Sequence, residues 1–177
     1  MSSSPCTDIM NATVAPCRYG AVLVAATDKG ICDIHLGANP DELADGYRQS
    51  ATRKVNWVNG DQQPEWLATV LKLVEDPNGT FDYPLDVQGT PFQKLVWQAL
   101  CNVPVGHTTT YGELAETIGK PRVYRAIGAA CGANRLALAI PCHRVLRKGS
   151  GPLDYRWGTA VKQQILAAEA AWILDSI

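Results

Sequence analysis

Apolar positions in this chain follow two rhythms, and the change comes near residue 89. Tyr19 to Thr27 is almost continuously apolar, Asp28-Lys29-Gly30 supplies a turn, and Ile31 to Leu36 alternates. Two such runs around a short glycine-containing turn predict a β-hairpin. Asn39-Pro40-Asp41-Glu42 predicts a helix start. The asparagine caps, proline takes the first helical position, and glutamate follows three places after the cap. Pro64 opens another helix, with Leu67, Val70, Leu71 and Val74 on one face, and Asp76-Pro77-Asn78-Gly79 ends it. Phe81 to Val87 fits a short strand or an extended link. Residues 1–15 are polar and small and read as a disordered leader.

Beyond Gly89 several stretches repeat at helical spacing. Thr90-Pro91-Phe92-Gln93 is a capping box, followed by a stripe of Phe92, Val96, Ala99, Leu100 and Val103 that Pro104-Val105-Gly106 breaks. Thr110-Tyr111-Gly112-Glu113 is a second capping box, opening a short helix that stops at Gly119. Lys120-Pro121 turns the chain, and Pro121 is expected to start a third helix running to Asn134. Two short helices around a tight turn form a helix-turn-helix pattern, which often meets nucleic acid and sometimes is only packing.

The third helix carries Gly128 and Gly132 in its interior. Each costs about 1 kcal/mol relative to alanine. Close approach of the helix backbone to another surface would offset that. The minor groove is only about 6 Å wide, against about 10–12 Å for a helix with ordinary side chains. A helix of alanine and glycine could press against it, with Arg125 reaching a phosphate or entering the base stack. Tight helix–helix packing is the other reading. A final helix is expected from Thr159 to Ile173, with Val161, Ile165, Ala168 and Trp172 on one face and Glu169 able to turn inward toward a histidine.

Composition adds bounds. The 177 residues, 46% hydrophobic and 19% charged, suit a globular chain of one domain or two small ones. No apolar run approaches the roughly 20 residues needed to span a bilayer, so no membrane partner is expected. The six cysteines show no CxxC, and the first residues lack the apolar core of a signal peptide. Reduced thiols in a cytoplasm or nucleus are therefore expected. Cys32 and His35 could be metal ligands, but a packed cysteine and a surface histidine are favoured at this spacing, and no metal is expected. Acidic residues outnumber basic ones in 1–84, and the reverse holds in 85–177. A polyanion would meet the second half.

The densest chemistry is Ile140-Pro141-Cys142-His143-Arg144-Val145. A thiol is mostly protonated near neutral pH, with a pKa of roughly 8.5, and only the thiolate is a good nucleophile. An adjacent imidazole can take the proton directly or through a water. Pro141 fixes a backbone angle just before the sulfur. A cysteine after an apolar run is otherwise ordinary packing.

These residues carry a resemblance. Pro141 to Val145, with Tyr111-Gly112-Glu113-Leu114-Ala115 upstream, Arg125 and Asn134 between, and Tyr155 and Glu169 downstream, resembles the O6-alkylguanine-DNA alkyltransferase family. Tyr155-Arg156-Trp157-Gly158 and Gly30-Ile31-Cys32 are similar to the C-terminal half of Ada-type proteins. The resemblance implies an α/β ribonuclease H-like domain over 16–86 and a mainly α winged helix-turn-helix domain over 87–177. It implies single-turnover transfer of an alkyl group from O6-alkylguanine in double-stranded DNA to Cys142, without a cofactor. His143 would take the thiol proton through a water, Glu169 would orient His143, Asn134 would support the active-site turn, and Tyr111 would donate to the leaving base. Arg125 would fill the gap left by the flipped nucleotide, with Tyr111, Thr110, Ala126 and Gly128 against the minor groove. Pro141, Val145, Cys131, Tyr155, Arg156 and Trp157 would form the substrate pocket. A monomer is expected. The alternative is a non-catalytic alkylguanine-recognition protein, although the cysteine is intact. Three departures stand out. Tyr124 replaces a small residue, Leu153-Asp154-Tyr155 replaces the commoner Ser/Thr-Gly-Tyr, and Trp157, glycine in some relatives, would narrow the pocket and favour methyl over benzyl groups.

Overall fold

The computed structural model describes residues 9–79, 81–149 and 154–177. The predicted hairpin forms as β2, Gly20–Thr27, and β3, Gly30–Gly37. It lies in a four-stranded sheet with β1, Ile9–Cys17, and β4, Lys54–Trp57, in the order β3-β2-β1-β4. β1 runs antiparallel to β2 and parallel to β4.

β1 corrects the leader reading. Residues 1–8 lie outside the described residues, but 9–15 belong to the sheet, paired with β2 from Asn11↔Ala26 to Cys17↔Gly20. Met10 and Ala12 point inward while Ile9 and Asn11 are exposed. That alternation uses small side chains, so its apolar signal is faint. The near-continuous apolar run in β2 has the opposite cause: its two faces meet two cores. Leu23 and Ala25 face Met10, Cys32 and Tyr47. Val22, Val24 and Ala26 face Leu67, Val70 and Val74.

Helix α1, Pro40–Ser50, starts where predicted, with Asn39 Oδ1 accepting from the amides of Asp41 and Glu42 at 2.8 and 3.2 Å. It sends Tyr47 into the first core. Helix α2, Glu65–Glu75, buries Leu67, Val70 and Val74 in the second. The 81–87 segment is a link joined to the sheet by one main-chain bridge: Ile31 N–H donates to Pro84 O at 2.9 Å, and Ile31 O accepts from Asp86 N at 2.8 Å. Gly30 is required there. Its φ of +139° suits glycine, and a Cβ would run into the Pro84 carbonyl.

The second half is helical. Both predicted capping boxes are present, at Thr90 for α3, Pro91–Cys101, and at Thr110 for α4, Tyr111–Thr117. Helix α5 runs Tyr124–Ala133, three residues later than Pro121 suggested. Arg122 takes a left-handed φ of 72°, which keeps the turn going and delays the helix. Asn134 caps α5 from outside it. Two short parallel strands, β5, Thr109–Thr110, and β6, Val145–Leu146, bring the start of α4 beside the Cys142 turn. Helix α6, Thr159–Asp175, closes the fold. One apolar core joins the halves, with Val24, Ile31 and Ile34 of the sheet packed in the same cluster as Val96, Leu100, Ile127 and Ile140. The overall class is thus an α/β sheet unit beside a helical unit, and no helix among the described residues is long and apolar enough to cross a membrane.

Candidate active site

The cysteine sits on a turn built by hydrogen bonds. Pro141, at φ −81° and ψ 60°, makes a three-residue inverse turn closed by Cys142 N–H to Ile140 O at 2.8 Å. Cys142, His143 and Arg144 then form one 3₁₀ turn. Asn134 braces this arrangement from behind. Its Oδ1 accepts from Leu136 N at 2.9 Å, and its Nδ2 donates to Ile140 O at 2.9 Å and to Cys142 Sγ at 3.2 Å. With both ends of the amide engaged, its orientation is fixed. Cys142 is only 5% exposed. Burial pushes its thiol up to about 11, against the lowering effects of the Asn134 hydrogen bond and of Lys162 and Arg156. At rest the sulfur is a thiol and needs a base.

That base stands next to it. His143 is buried, and its Nε2 lies 2.7 Å from Glu169 Oε1. The carboxylate accepts, so Nε2 carries the proton and Nδ1 keeps its lone pair. Nδ1 is buried with no hydrogen-bond partner among the described residues. Burial holds His143 below the usual histidine range despite Glu169, so the ring is neutral near pH 7 and able to receive a proton. Burial alone would raise Glu169, but hydrogen bonds from His143 and Arg144 hold it at about 2. Arg144 donates from Nε at 3.1 Å and from Nη2 at 2.9 Å, and Gly106 N–H adds a bond at 3.2 Å. Gly106 has φ +72°, and a side chain there would strike Ile173 of α6.

Cys142 opens into a cavity of about 270 Å³ lined by Tyr111, Gly128, Cys131, Gly132, Tyr155 and Arg156, among others. This is near the lower end of small-molecule pockets, roughly 300–1,000 Å³. The cavity meets a larger groove of about 830 Å³ that runs past Thr110, Tyr124, Arg125, Arg147 and Lys148. Tyr111, Gly128 and Asp154 line both. Tyr111 is half-buried, and burial raises its phenol above the usual range, so it remains a proton donor. Arg125 and Ala126, in the first turn of α5, are exposed. The glycines of α5 are not explained by internal packing. Among the described residues, a Cβ at Gly132 would meet nothing within 4 Å, and one at Gly128 would make only an ordinary 3.8 Å contact with Tyr111. Both face the cavity.

Several expected site residues lie elsewhere. Trp157 is not on the cavity wall: its indole packs edge-on to Tyr155 at 5.1 Å and to His35 at 5.8 Å between centroids. The expected discrimination between methyl and benzyl groups loses its geometric basis. Pro141 faces a shallow surface hollow beside Cys101 and Arg144, and Val145 is fully buried. His35 is not a surface residue; its side chain is 14% exposed and edge-on to Tyr47. Cys32 packs against Met10, with Sγ and Sδ 3.5 Å apart. Leu153 lies outside the described residues. The inward face of α6 is Lys162, Ile165 and Glu169, one position round from the expected stripe.

Two site residues escaped the sequence reading. Lys162 is buried and donates from Nζ to the carbonyls of Val145 at 2.8 Å and Asp154 at 3.3 Å, joining the Cys142 turn to the opposite cavity wall. Arg144 neutralises Glu169. The available signal was the spacing of Lys162, Ile165 and Glu169, which share a helix face.

Comparison with known proteins gives the family. Residues 91–171 match the family description "6-O-methylguanine DNA methyltransferase, DNA binding domain". The inducible methylated-DNA–protein-cysteine methyltransferase of Bacillus subtilis is 33% identical over 147 residues, with 82% of each chain covered. The chain belongs to the O6-methylguanine DNA methyltransferase family. Within that family, the "Bifunctional transcriptional activator/DNA repair enzyme Ada" of Escherichia coli is 41% identical over 158 residues, which span 89% of this chain and 44% of Ada. The chain thus spans less than half the length of that relative and of the Ada protein of Salmonella typhimurium, where it covers 43%. Mycobacterium tuberculosis OGT, solved in complex with DNA, superposes with a TM-score of 0.74 at 26% identity over 91% of this chain and 93% of that one.

Proposed function

We propose that the protein repairs double-stranded DNA by taking an alkyl group from O6 of guanine and keeping it on Cys142, once per molecule. One observation carries the reading: a buried Cys142 held by Asn134 and backed by the His143–Glu169 pair opens, past Tyr111, into a groove edged by Arg125. A base inside a duplex is out of reach of such a sulfur, so the alkylated nucleotide must be extruded, at a cost of a few kcal/mol. Tyr111 stands at the junction of groove and cavity, where a flipped base would pass.

The thiol proton leaves to His143 Nδ1, directly or through a water, while Glu169 stabilises the imidazolium that forms. The Asn134 amide steadies the thiolate. Sulfur then attacks the alkyl carbon in line with O6; the S–C bond forms as the C–O6 bond breaks, and guanine leaves with the electron pair. Tyr111 donates a hydrogen bond to the departing base, limiting its negative charge. A thioether has no easy route back, so the protein is consumed. The chemistry calls on no metal or organic cofactor.

Helix α5 is the surface we assign to the minor groove, with Arg125 filling the vacated stack and Thr110, Ala126 and Gly128 beside it. The open space at its glycines supports this over internal packing. On the same reading, α4 and α5 form the helix-turn-helix of a winged domain over 87–177. The sheet unit, now beginning at Ile9 and ending near 86, is ribonuclease H-like, and the protein acts as a monomer. The test follows O6-methylguanine in a synthetic duplex under increasing protein. Loss of one lesion per protein molecule, with no turnover, supports the reading. Continued loss beyond stoichiometry, or binding without loss, refutes it.

A further inference from the structure

Strand β3 holds the active-site turn by its main chain and by a side chain. Ile34 N–H donates to Arg135 O at 2.8 Å, and Ala137 N–H donates to Ile34 O at 3.0 Å, so residues 135–137 lie alongside the sheet edge. Asp33, 1% exposed, grips the Arg135 guanidinium at two points, Nε on Oδ1 and Nη2 on Oδ2, the latter at 3.0 Å. Tyr47 O–H donates to the same carboxylate at 2.5 Å, and His35 Nε2 lies 3.6 Å from it. Burial alone would raise Asp33, but the nearby His35 imidazole and the hydrogen bonds from Arg135 and Tyr47 hold it below the usual carboxylate range.

Asp33 is buried but the Arg135 side chain is 38% exposed, so solvent screening leaves the pair little weight in stability; its better attested use is to fix one arrangement over others. What this pair fixes is specific. Arg135 follows Asn134, the residue that donates to the Cys142 sulfur. A planar two-point grip resists rotation as well as translation, which a single bond does not. The Asn134 amide has little slack: its oxygen is held by Leu136 N–H and its nitrogen by Ile140 O.

We propose that Asp33 is a positioning residue for the transfer reaction: through Arg135 it fixes the Asn134 turn, and with it the hydrogen bond to the Cys142 sulfur. The sheet unit then sets the reactivity of a cysteine it does not contain. This rests on the alkyl-transfer reading for its biological meaning, although the effect on the thiol can be read without alkylated DNA. Besides Asn134, the groups bearing on that thiol are Lys162, Arg156, His143, Tyr111, Tyr155 and Cys131; among the described residues none of them hydrogen-bonds to Asp33, and Arg156 alone feels the charges of Asp33 and Arg135, an effect the Asn134→Ala background leaves in place.

The experiment compares wild type, Asp33→Asn and Arg135→Lys, each alone and with Asn134→Ala. Alkylation of Cys142 by iodoacetamide is followed against pH by peptide mass spectrometry, beside single-turnover methyl transfer and duplex affinity. Asp33→Asn is expected to move the thiol profile to higher pH and slow transfer about tenfold, as for one lost hydrogen bond. Duplex affinity should stay within about twofold, a change of only ~0.4 kcal/mol. In the Asn134→Ala background the same substitution should add almost nothing. Arg135→Lys, which keeps the charge and loses the two-point grip, should fall between. An unmoved thiol profile overturns the proposal, and so does an equal loss in both backgrounds, which would mark Asp33 as merely structural. If wild type transfers no methyl group while the thiol profile moves as stated, the repair reading fails and the positioning of Cys142 by Asp33 stands.

Discussion

Replacing Glu169 with glutamine keeps its shape and removes its charge. The carboxylate is 2% exposed and receives hydrogen bonds from His143 Nε2, Arg144 Nε and Nη2, and Gly106 N. A glutamine has one acceptor oxygen and an NH₂ that donates, so it cannot serve all of these donors. Arg144 is left as a buried charge without its counter-charge and with fewer acceptors, keeping Nη1 to Val103 O at 2.6 Å. Breaking a buried pair in this way typically costs about 3–5 kcal/mol. For a chain of this size that lowers Tm by roughly 6–20 °C. Urea unfolding followed by tryptophan fluorescence at pH 7.5 gives the loss directly. Adding Arg144→Met should restore part of it, since removing both charges leaves no orphan. A Glu169→Gln protein within about 0.5 kcal/mol of wild type, the range of ordinary surface substitutions, would refute the reasoning.

The same pair makes the fold acid-sensitive. Both folded values lie below the unfolded ones, His143 below 6.5 and Glu169 at about 2 against 4.5, so the unfolded chain binds more protons. Their contribution is complete above pH 6.5, begins to fall as His143's unfolded value is passed, and falls further from 4.5 toward 2; Tm scans from pH 8 to 2 should show both declines in wild type, and Glu169→Gln should lack the second. Gly132→Leu fills open space on α5 and trades glycine for a better helix former, so stability should rise by up to about 1 kcal/mol while duplex binding and transfer fall at least about tenfold. Arg125→Ala should slow transfer from duplex DNA by a similar factor and leave the reaction with free O6-methylguanine base unchanged, as measured by mass shift of the protein.

Local grammar was the legible part of this chain. Caps at Asn39, Thr90 and Thr110 stand where the sequence puts them, because a cap is a contact between neighbours. Cys142 and His143 stood out by their adjacency, Asn134 only through the family resemblance, and Glu169 by its place on the last helix. What stayed hidden depends on partners distant in sequence. β1 looks like a polar leader until β2 and β4 supply its hydrogen bonds. Trp157 reads as a pocket wall until His35 takes it to the other side. Lys162 drew no reading from the sequence; only the fold supplies the Val145 and Asp154 carbonyls that make its burial tolerable. The Asp33–Arg135 grip joins residues 102 positions apart, beyond any local pattern.

The central claim is that Cys142 accepts the alkyl group. Wild type and Cys142→Ser are each mixed with a duplex carrying one O6-methylguanine, and intact and peptide mass spectra are taken. The expected result is one added methyl per wild-type molecule, found on the peptide containing Cys142, and none on Cys142→Ser. Tight binding of that duplex with no change in mass, or a methyl on another cysteine, would contradict the account.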